Sequence, residues 1–406
     1  MERFAKVIVG GGMVGGFCLK EMGKLGVPKG EVCLISADST LPYARPPLSK
    51  DYLIDKKPLE KVYVNKEGFY EENGIEVRLQ TRVTGLDPQK KELTLEDGDV
   101  IGYDNLVLST GSKVRRLDLP GTDLDGVLYL RTLEDCDRLK ERAKQARKLA
   151  VIGGGFIGSE CASRLGDMGI ETTVLYREER LLDFFLPERL SAIYEGRFRD
   201  HGVALRSQAG VAGFTGQGKL EGVKLSDGTV IEADMALVAV GVYPDLDLAN
   251  AAGLRLDGNA VWVDETLQTS AAGVYAGGDV VSYPDMYLGT HRHVEHEEHA
   301  RVSGRHLAHM LMGETKPYDY LALVWSDVYD LSWEFWGEFK GADEVIYRGD
   351  PESADFSAWW LKDGKLLGAM VTFTDRHDAE AAVAQAWIKE GKAVDKAAVV
   401  GGAELS

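Results

Sequence analysis

Two segments of the chain contain glycines at a spacing that can hold the phosphates of a dinucleotide. The residues concerned are Gly10, Gly12, Gly15, Gly153, Gly155, Phe156, Ile157 and Gly158. Glycines spaced Gly-x-Gly-x-x-Gly permit a tight turn, a close approach of the backbone to a pyrophosphate and close packing of the following helix. The free N–H groups at the start of that helix then bind anionic oxygens. Because the pattern occurs twice in the same context, we predict two dinucleotide-binding sites.

An acidic residue at the end of the second strand of such a unit accepts hydrogen bonds from ribose hydroxyls. After the first glycine segment this position is occupied by Asp38, which follows the apolar run at residues 31–36. After the second segment it is occupied by Glu178, and an acidic residue there favours NADH over NADPH. Arg177 and Arg180 flank Glu178 and could instead bind the 2′-phosphate of NADPH. NADH is the expected donor, and NADPH is the open alternative.

Cysteines and histidines show no pattern of a metal or dithiol centre. The four cysteines lie far apart in the sequence and form neither a CxxC nor a CxxxxC pair. Four of the eight histidines lie between residues 291 and 299, but they do not make a complete ligand set. We therefore expect no metal site and no redox disulfide. The same cysteine usage predicts a reducing compartment.

The charge balance excludes some classes of partner. The 406 residues include 47 basic and 65 acidic side chains, which gives a formal net charge of −18. Such a chain is not suited to sequence-independent binding of a polyanion or to an anionic membrane surface. It contains no apolar run of about 18 residues, and an apolar strand follows the first residues almost directly, without a signal peptide. We predict a cytoplasmic protein that binds neither nucleic acid nor membrane.

The apolar pattern around the glycine segments predicts the elements that position them. Each segment lies in the order strand, glycine turn, helix and strand that a dinucleotide-binding fold requires. The strands are predicted at residues 6–9, 31–36, 74–83, 91–95, 105–109, 148–152, 172–176, 202–205, 222–225 and 235–240. Beyond residue 320, tryptophans occur in alternating, strand-like runs, and a closing helix is expected at about residues 378–390. The fold class is therefore α/β, with two Rossmann-like dinucleotide-binding domains and a smaller C-terminal α+β domain.

Three further motifs resemble those of a known enzyme family. They are the run LPYARPPLSK at residues 41–50, Ser109-Thr110-Gly111, and the run YAGGD at residues 275–279. On these motifs the chain resembles the FAD-dependent pyridine nucleotide oxidoreductases, in their ferredoxin-reductase-like branch. The resemblance implies an FAD-binding domain at 1–119 and 245–320, an NAD(P)H-binding domain at 120–244, and a C-terminal interface domain at 321–406.

The resemblance also implies roles for individual residues. It places Lys50 and Glu160 as a pair near flavin N5, where a positive charge favours the reduced flavin and the carboxylate keeps the lysine paired. It places Trp325 at the flavin edge. The other residues that it implies for FAD binding are Arg45, Val83, Thr110, Gly111, Arg131, Asp279, Glu295 and His296. Gly241 is expected in a loop that closes over the nicotinamide nucleotide.

Within this branch, the runs at residues 294–296, 318–321 and 330–337 are most similar to monodehydroascorbate reductases. This similarity implies that a small radical acceptor contacts Arg292, His293 and Tyr320. Two features depart from it. The segment Trp325-Ser326-Asp327 is closer to bacterial ferredoxin reductases and to apoptosis-inducing-factor-like proteins, and His293 stands where an arginine is expected.

The resemblance therefore implies an FAD-dependent enzyme that passes electrons from NADH through flavin to a one-electron acceptor. Monodehydroascorbate is the first candidate for that acceptor. A ferredoxin or rubredoxin is the second, so that the partner is either a small radical or a small iron–sulfur protein. A third hypothesis is a redox-sensing flavoprotein like apoptosis-inducing factor, which rapid turnover with any acceptor would contradict.

Overall fold

The computed structural model describes residues 1–401 of the chain. Two compact units are formed, and each combines segments that are distant in sequence. Unit A comprises Met1–Arg45, Pro58–Lys113 and Tyr243–Ala322, and unit B comprises Pro46–Lys57, Val114–Val242 and the residues from Leu323 onward. The domain boundaries after residues 119, 244 and 320 stay predictions.

The strands follow one another along the chain as short segments. They are β1 (Glu2–Val9), β2 (Val32–Ile35), β3 (Glu76–Arg78), β4 (Val83–Asp87), β5 (Glu92–Leu95), β6 (Val100–Leu108), β7 (Ser112–Val114), β8 (Val127–Leu128), β9 (Lys148–Ile152), β10 (Glu171–Leu175), β11 (Ala204–Arg206), β12 (Val211–Thr215), β13 (Gly222–Leu225), β14 (Val230–Glu232), β15 (Met235–Val238), β16 (Val242–Pro244), β17 (Leu256–Asp257), β18 (Ala260–Trp262), β19 (Val274–Ala276), β20 (Val281–Asp285), β21 (Thr290–His293), β22 (Leu323–Val328), β23 (Leu331–Gly337), β24 (Glu344–Asp350), β25 (Asp355–Lys362) and β26 (Lys365–Thr372).

The α-helices are fewer and longer. They are α1 (Met13–Leu25), α2 (Phe69–Glu72), α3 (Leu133–Ala143), α4 (Phe156–Asp167), α5 (Glu188–Asp200), α6 (Asp247–Ala251), α7 (Glu297–Leu311), α8 (His377–Glu390) and α9 (Lys396–Val400). Single 3-10 turns lie at Pro46–Ser49, Leu59–Lys61, Gly278–Val280 and Pro351–Ser353.

A mainly parallel sheet forms the centre of unit A. Its order is β3-β2-β1-β6, with β19 also parallel to β6 and with β5 and β4 added in antiparallel orientation. Val7 and Ile8 of the central strand β1 are fully buried. Helix α1 packs against α7 at Gly304, where a Cβ atom would lie 2.5 Å from the carbonyl oxygen of Val14. The first glycine segment thus connects the carboxyl end of β1 to a helix that is packed tightly in place.

Unit B contains a second parallel sheet and two antiparallel ones. The parallel sheet has the order β11-β10-β9-β15-β8, and the second glycine segment connects β9 to α4. Strands β12 to β14 form a small antiparallel sheet. The C-terminal sheet has the order β22-β23-β26-β25-β24, and α8 packs on it. Trp333 and Trp359 are almost completely buried in this region.

The predicted fold class is confirmed, and most predicted elements lie close to their expected positions. The closing helix expected at residues 378–390 is α8. The strand predicted at residues 105–109 is longer than expected, because β6 begins at Val100. Its additional residues pair with the start of β1, so that Tyr103 lies beside Phe4 and is fully buried.

Candidate active site

The first glycine segment forms a tight turn that only glycine can adopt at its first position. Gly10 has a φ angle of +118°, and a Cβ atom there would lie 2.2 Å from the carbonyl oxygen of Ser109. At Gly15, a Cβ atom would lie 2.4 Å from the carbonyl oxygen of Gly10. Gly12 instead faces open space and begins helix α1 without a side-chain cap. Its uncapped N–H groups leave room for a phosphate, as a bound dinucleotide requires.

The second glycine segment repeats this geometry in unit B. Gly153 has a φ angle of +119°, and a Cβ atom there would lie 2.2 Å from the carbonyl oxygen of Ala239. Gly158 lies against the carbonyl oxygen of Gly153 as Gly15 lies against Gly10. Gly155 faces open space and begins α4 without a side-chain cap. Both segments therefore fit the pyrophosphate of a dinucleotide.

The two acidic residues predicted to bind ribose occupy equivalent positions. Asp38 lies three residues beyond the end of β2, and Glu178 lies three residues beyond the end of β10. Asp38 is half-buried and accepts a hydrogen bond of 3.1 Å from the Tyr43 hydroxyl. Glu178 is exposed. Arg180 pairs with Asp183, which reduces its availability for a 2′-phosphate.

The motif at residues 109–111 precedes a serine that contacts Asp279, the last residue of the YAGGD run. Asp279 lies in the turn Gly278–Val280 and accepts a hydrogen bond of 2.9 Å from the Ser112 hydroxyl. The Thr110 hydroxyl donates to the carbonyl oxygen of Asp245 at 2.7 Å. Gly111 has a φ angle of +70°, which explains the requirement for glycine at this turn.

The remaining residues predicted to contact cofactors lie at turns and strand ends. Arg45 lies over the Tyr43 ring, 5.6 Å from its centroid. Val83 begins β4 and is half-buried. The backbone N–H of Arg131 donates to Asp135 at 3.0 Å. Gly241, with a φ angle of +97°, accepts a hydrogen bond from the backbone of Arg115.

Helix α7 begins directly after two residues predicted to contact FAD. His296 is its N-cap, and its side chain accepts a hydrogen bond of 3.3 Å from the backbone N–H of Glu298. Glu295 precedes this cap and is exposed. The start of a helix of this length carries a partial positive charge, which stabilises an adjacent anion.

Lys50 and Glu160 form a buried ion pair in unit B. The Lys50 ammonium lies 2.7 Å from Glu160 Oε1, and their side chains are only 9% and 7% exposed. Glu160 also accepts hydrogen bonds from the hydroxyls of Ser49, at 2.6 Å, and Ser326, at 2.9 Å. A carboxylate with three such donors is held in one orientation.

Two charged residues that extend this pair, Asp327 and Arg164, were not predicted from the sequence. Asp327 Oδ2 lies 2.8 Å from the Lys50 ammonium, and Asp327 also pairs with Arg164 of α4. Trp325, two residues before Asp327, lies with its ring centroid 5.0 Å from the Lys50 ammonium. The unusual segment Trp325-Ser326-Asp327 was the only sequence signal for this arrangement.

A cavity of about 300 Å³ adjoins Trp325. Its lining residues are Trp325, Ser326, Asp327, Ser332 and Phe373.

A separate aromatic group lies at the start of α4. The centroid of the Phe156 ring lies 5.8 Å from that of Phe184 and 6.1 Å from that of Trp333. The neighbouring Ile157 is exposed. Phe156 and Ile157 are themselves part of the second glycine segment.

The three residues predicted to contact a radical acceptor have partners within unit A. Arg292 lies 3.1 Å from Asp285, whose side chain is fully buried. His293 Nε2 lies 2.7 Å from the backbone oxygen of Asp279. Tyr320 is only 5% exposed and its ring is stacked on His299. Their role in acceptor binding stays a prediction.

The described residues contain no dithiol and no metal cluster. All four cysteines are buried and unpaired. Burial raises the pKa of the Cys33 and Cys136 thiols to about 12, which keeps both protonated at neutral pH. Over residues 1–401, no group of three or more potential ligands could hold a metal ion. In the same range, no helix is both long enough and apolar enough to cross a membrane.

Comparison with known proteins gives matches over nearly the whole chain. Residues 4–304 match the family described as pyridine nucleotide-disulphide oxidoreductase, and residues 323–404 match the reductase C-terminal family. A monodehydroascorbate reductase of Pisum sativum is 34% identical over 412 residues, covering 95% of each chain. The 5,5′-dehydrodivanillate O-demethylase ferredoxin reductase subunit of Sphingobium is 35% identical, covering 90% of this chain and 89% of the relative.

Solved structures of similar proteins share the same architecture. The ferredoxin reductase for the CYP199A2 system of Rhodopseudomonas palustris has a TM-score of 0.91 at 31% identity, with 98% of this chain and 97% of that chain covered. Putidaredoxin reductase, in its covalent complex with putidaredoxin, has a TM-score of 0.90 at 30% identity, with 97% and 94% covered.

Proposed function

The chain belongs to the pyridine nucleotide-disulphide oxidoreductase family and is an FAD-dependent NAD(P)H reductase, and on that basis we propose that it reduces a one-electron acceptor without using thiols. The observation that carries this proposal is the pair of matching glycine segments, each leading to an uncapped helix start. Its partner is a small-molecule acceptor or an iron–sulfur protein. Bound FAD supplies the chemistry, because it accepts a hydride from nicotinamide and can release electrons one at a time.

We assign the two nucleotides to the two glycine segments. The backbone N–H groups after Gly10 hold the FAD pyrophosphate, and Asp38 accepts from its ribose. The groups after Gly153 hold the pyrophosphate of NADH, and Glu178 accepts from its ribose. The domain limits predicted from the sequence are retained, with FAD at 1–119 and 245–320 and the nicotinamide nucleotide at 120–244. In this scheme the Lys50 ammonium faces the flavin, and Glu160 fixes its position.

Monodehydroascorbate is the acceptor that we propose. Support comes from a relative of that name that aligns with 95% of the chain, and from the resemblance of residues 294–296. His293 and Arg292 would then provide the cationic side of the acceptor site. A charged imidazole attracts an anionic radical more strongly than a neutral one does, so acceptor reduction should increase as the pH falls below 7.

An iron–sulfur protein is the second candidate, and one specific observation favours it. The charge of Arg292 is already compensated by the fully buried Asp285, which weakens its attraction for a small anion. Ferredoxin reductase structures also match the chain closely. The net charge of −18 gives no overall attraction for an acidic ferredoxin and so favours the small acceptor; an iron–sulfur protein would have to dock on a local patch.

A single set of steady-state measurements tests this proposal. Purified, FAD-loaded protein is given NADH and, in separate assays, monodehydroascorbate, a ferredoxin and a rubredoxin. We expect fast reduction of monodehydroascorbate, and we expect His293→Arg to raise it at about pH 7–8 and to flatten its pH dependence. Fast ferredoxin reduction, with radical reduction unchanged in His293→Arg and Tyr320→Phe, would replace the first candidate by the second. Slow turnover with every acceptor would favour the redox-sensing hypothesis.

Nucleotide preference is tested at the end of β10. Glu178→Ala should lower kcat/KM for NADH by about five- to a hundredfold, because a charge-assisted hydrogen bond contributes about 1–3 kcal/mol. NADPH use should fall less or should increase. Glu179→Ala is the matched control, since this neighbouring glutamate is also exposed. Equal losses with both nucleotides would disprove the assignment of Glu178.

The location of the protein in the cell also remains a proposal. Four buried, unpaired thiols are compatible with a reducing compartment, for which we propose the cytoplasm. Fractionation of the source cells, with the protein detected by antibody, would test it.

A further inference from the structure

Lys50 has two counter-ions, and only one of them belongs to the pair described above. We propose that Asp327 is a positioning residue that acts through Lys50, and that it lowers the reduction potential of the bound flavin. Arg164 in turn holds Asp327 in place. The inference rests on the proposed function in one respect, namely that Lys50 faces the flavin.

The four charges form a chain of alternating sign within unit B. The Lys50 ammonium lies 2.7 Å from Glu160 and 2.8 Å from Asp327, on two different elements. The other carboxylate oxygen of Asp327 pairs with Arg164. The side chains of Asp327 and Arg164 are 25% and 20% exposed, so that solvent screens this chain only partly.

The two carboxylates are held to different degrees. Both oxygens of Glu160 are occupied, one by Lys50 and Ser326 and the other by Ser49. Asp327, in contrast, pairs with Lys50 and Arg164 and lies on the edge strand β22, two residues after Trp325. Glu160 therefore fixes where the ammonium lies, and Asp327 determines how much of its charge is compensated.

The sign of the effect follows from the charges. Lys50, Arg164, Glu160 and Asp327 together carry no net charge when all four are ionised. Without the Asp327 carboxylate the group carries one positive charge, and without the Arg164 guanidinium it carries one negative charge. A positive charge near the flavin favours its electron-rich reduced form, and a negative charge disfavours it. The two substitutions must therefore change the potential in opposite directions.

The test measures the midpoint potential of the bound flavin by anaerobic redox titration against a reference dye. Asp327→Asn should shift the reduction equilibrium about tenfold towards reduced flavin, which corresponds to about 30 mV for a two-electron couple. Asp327→Glu, which keeps the carboxylate, should have the flavin midpoint potential of the parent protein. Arg164→Gln should shift the equilibrium in the opposite direction. The matched control is Asp330→Asn, on the same β22–β23 hairpin, where the carboxylate pairs with Arg197 at 3.1 Å; its potential should not change.

The outcomes separate this inference from the proposed function. If Lys50→Met lowers the potential and Asp327→Asn leaves it unchanged, the role of Asp327 is disproved and the proposed function stands. If none of these variants changes the potential of fully FAD-loaded protein, Lys50 does not face the flavin, and the inference fails with that placement. Circular dichroism of the apoprotein shows whether Asp327→Asn folds. If it does not, Arg164→Gln tests the proposal instead. A shift of its flavin potential in the same direction as that of Lys50→Met supports the proposal, and an unchanged potential overturns it.

Discussion

Two buried histidines of helix α7 should make the stability of the protein depend on pH. His299 is fully buried, and its Nδ1 atom lies 3.0 Å from the backbone oxygen of Val294. Its Nε2 atom is buried and has no hydrogen-bond partner among the described residues, as expected for a neutral ring. Burial lowers the pKa of His299 to about 4, and it lowers the pKa of His306 to about 4 as well.

The direction and size of the effect follow from these values. Well above pH 6.5 both histidines are neutral in the folded and unfolded states, and they add little pH dependence. As the pH falls from 6.5 towards 4, the unfolded chain binds protons first, so that the folded state loses stability. The loss is about 1.4 kcal/mol per pH unit for each histidine, or about 3 kcal/mol each by pH 4, below which it levels off.

The variant His299→Phe tests this reasoning. Phenylalanine can still stack on Tyr320 but cannot titrate. At pH 7 the variant should be about 1 kcal/mol less stable, because the hydrogen bond to Val294 is lost. At pH 5 the parent has lost about 2 kcal/mol through His299, so the two stability curves should cross near pH 6. Carboxylates titrate in the same range, and the comparison with the parent removes their contribution.

The assay is chemical unfolding of apoprotein, followed by tryptophan fluorescence, at pH values between 7.5 and 5. His201→Phe is the control, since His201 is exposed and its replacement should give a curve parallel to that of the parent. If His299→Phe also gives a parallel curve, His299 is not buried in its neutral form, and the reasoning is refuted.

Two further predictions concern cofactor binding and the absence of thiol chemistry. Gly10→Ala should fail to form the native turn and so bind no FAD, because its Cβ atom would lie 2.2 Å from a carbonyl oxygen and its φ angle is +118°. Gly12→Ala should fold, because its Cβ atom would meet no other atom of the chain within 4 Å, but it should lose FAD affinity, because that Cβ atom would occupy the space assigned to the pyrophosphate. Circular dichroism and flavin absorbance of the purified variants measure folding and FAD content, and a Gly12→Ala variant that retains FAD like the parent would contradict the assignment. Replacing all four cysteines by alanine should leave anaerobic flavin reduction by NADH intact; loss of reduction in a folded, FAD-loaded variant would show that a thiol takes part.

Local features of this protein were accessible from the sequence. The glycine segments, the strands around them and helix α8 depend on residues that are close in the chain, and their spacing specifies a turn or a helix directly. Gly10 and Gly153 illustrate this, since both take nearly the same positive φ angle in the same context. The fold class followed from the repetition of that local pattern.

The partners of Lys50 were less accessible, because they come from distant parts of the chain. Glu160 and Ser326 are 166 residues apart, and they meet only because α4 packs beside β22. Family resemblance identified the pair of Lys50 and Glu160, but no spacing rule identifies Asp327 or Arg164 as further members. The pairing of Arg292 with Asp285 was missed for another reason. It depends on the β20–β21 hairpin, whose register was not predicted.

The two glycine segments use the same chemistry but differ in how far their surroundings are buried, and this difference predicts different rates of ligand exchange. Met13 and Val14, which lie within the first segment, are 5% and 6% exposed, whereas Ile157, which lies within the second at the position of Val14, is 44% exposed. A nucleotide held among buried side chains can leave only after those side chains move, whereas an open site releases its ligand without such a step. We therefore expect FAD to remain bound through gel filtration and NADH to exchange within the time of a turnover. Stopped-flow displacement of NADH, compared with the loss of flavin absorbance on prolonged dialysis, measures both rates, and FAD loss as fast as NADH exchange would contradict this interpretation of the burial pattern.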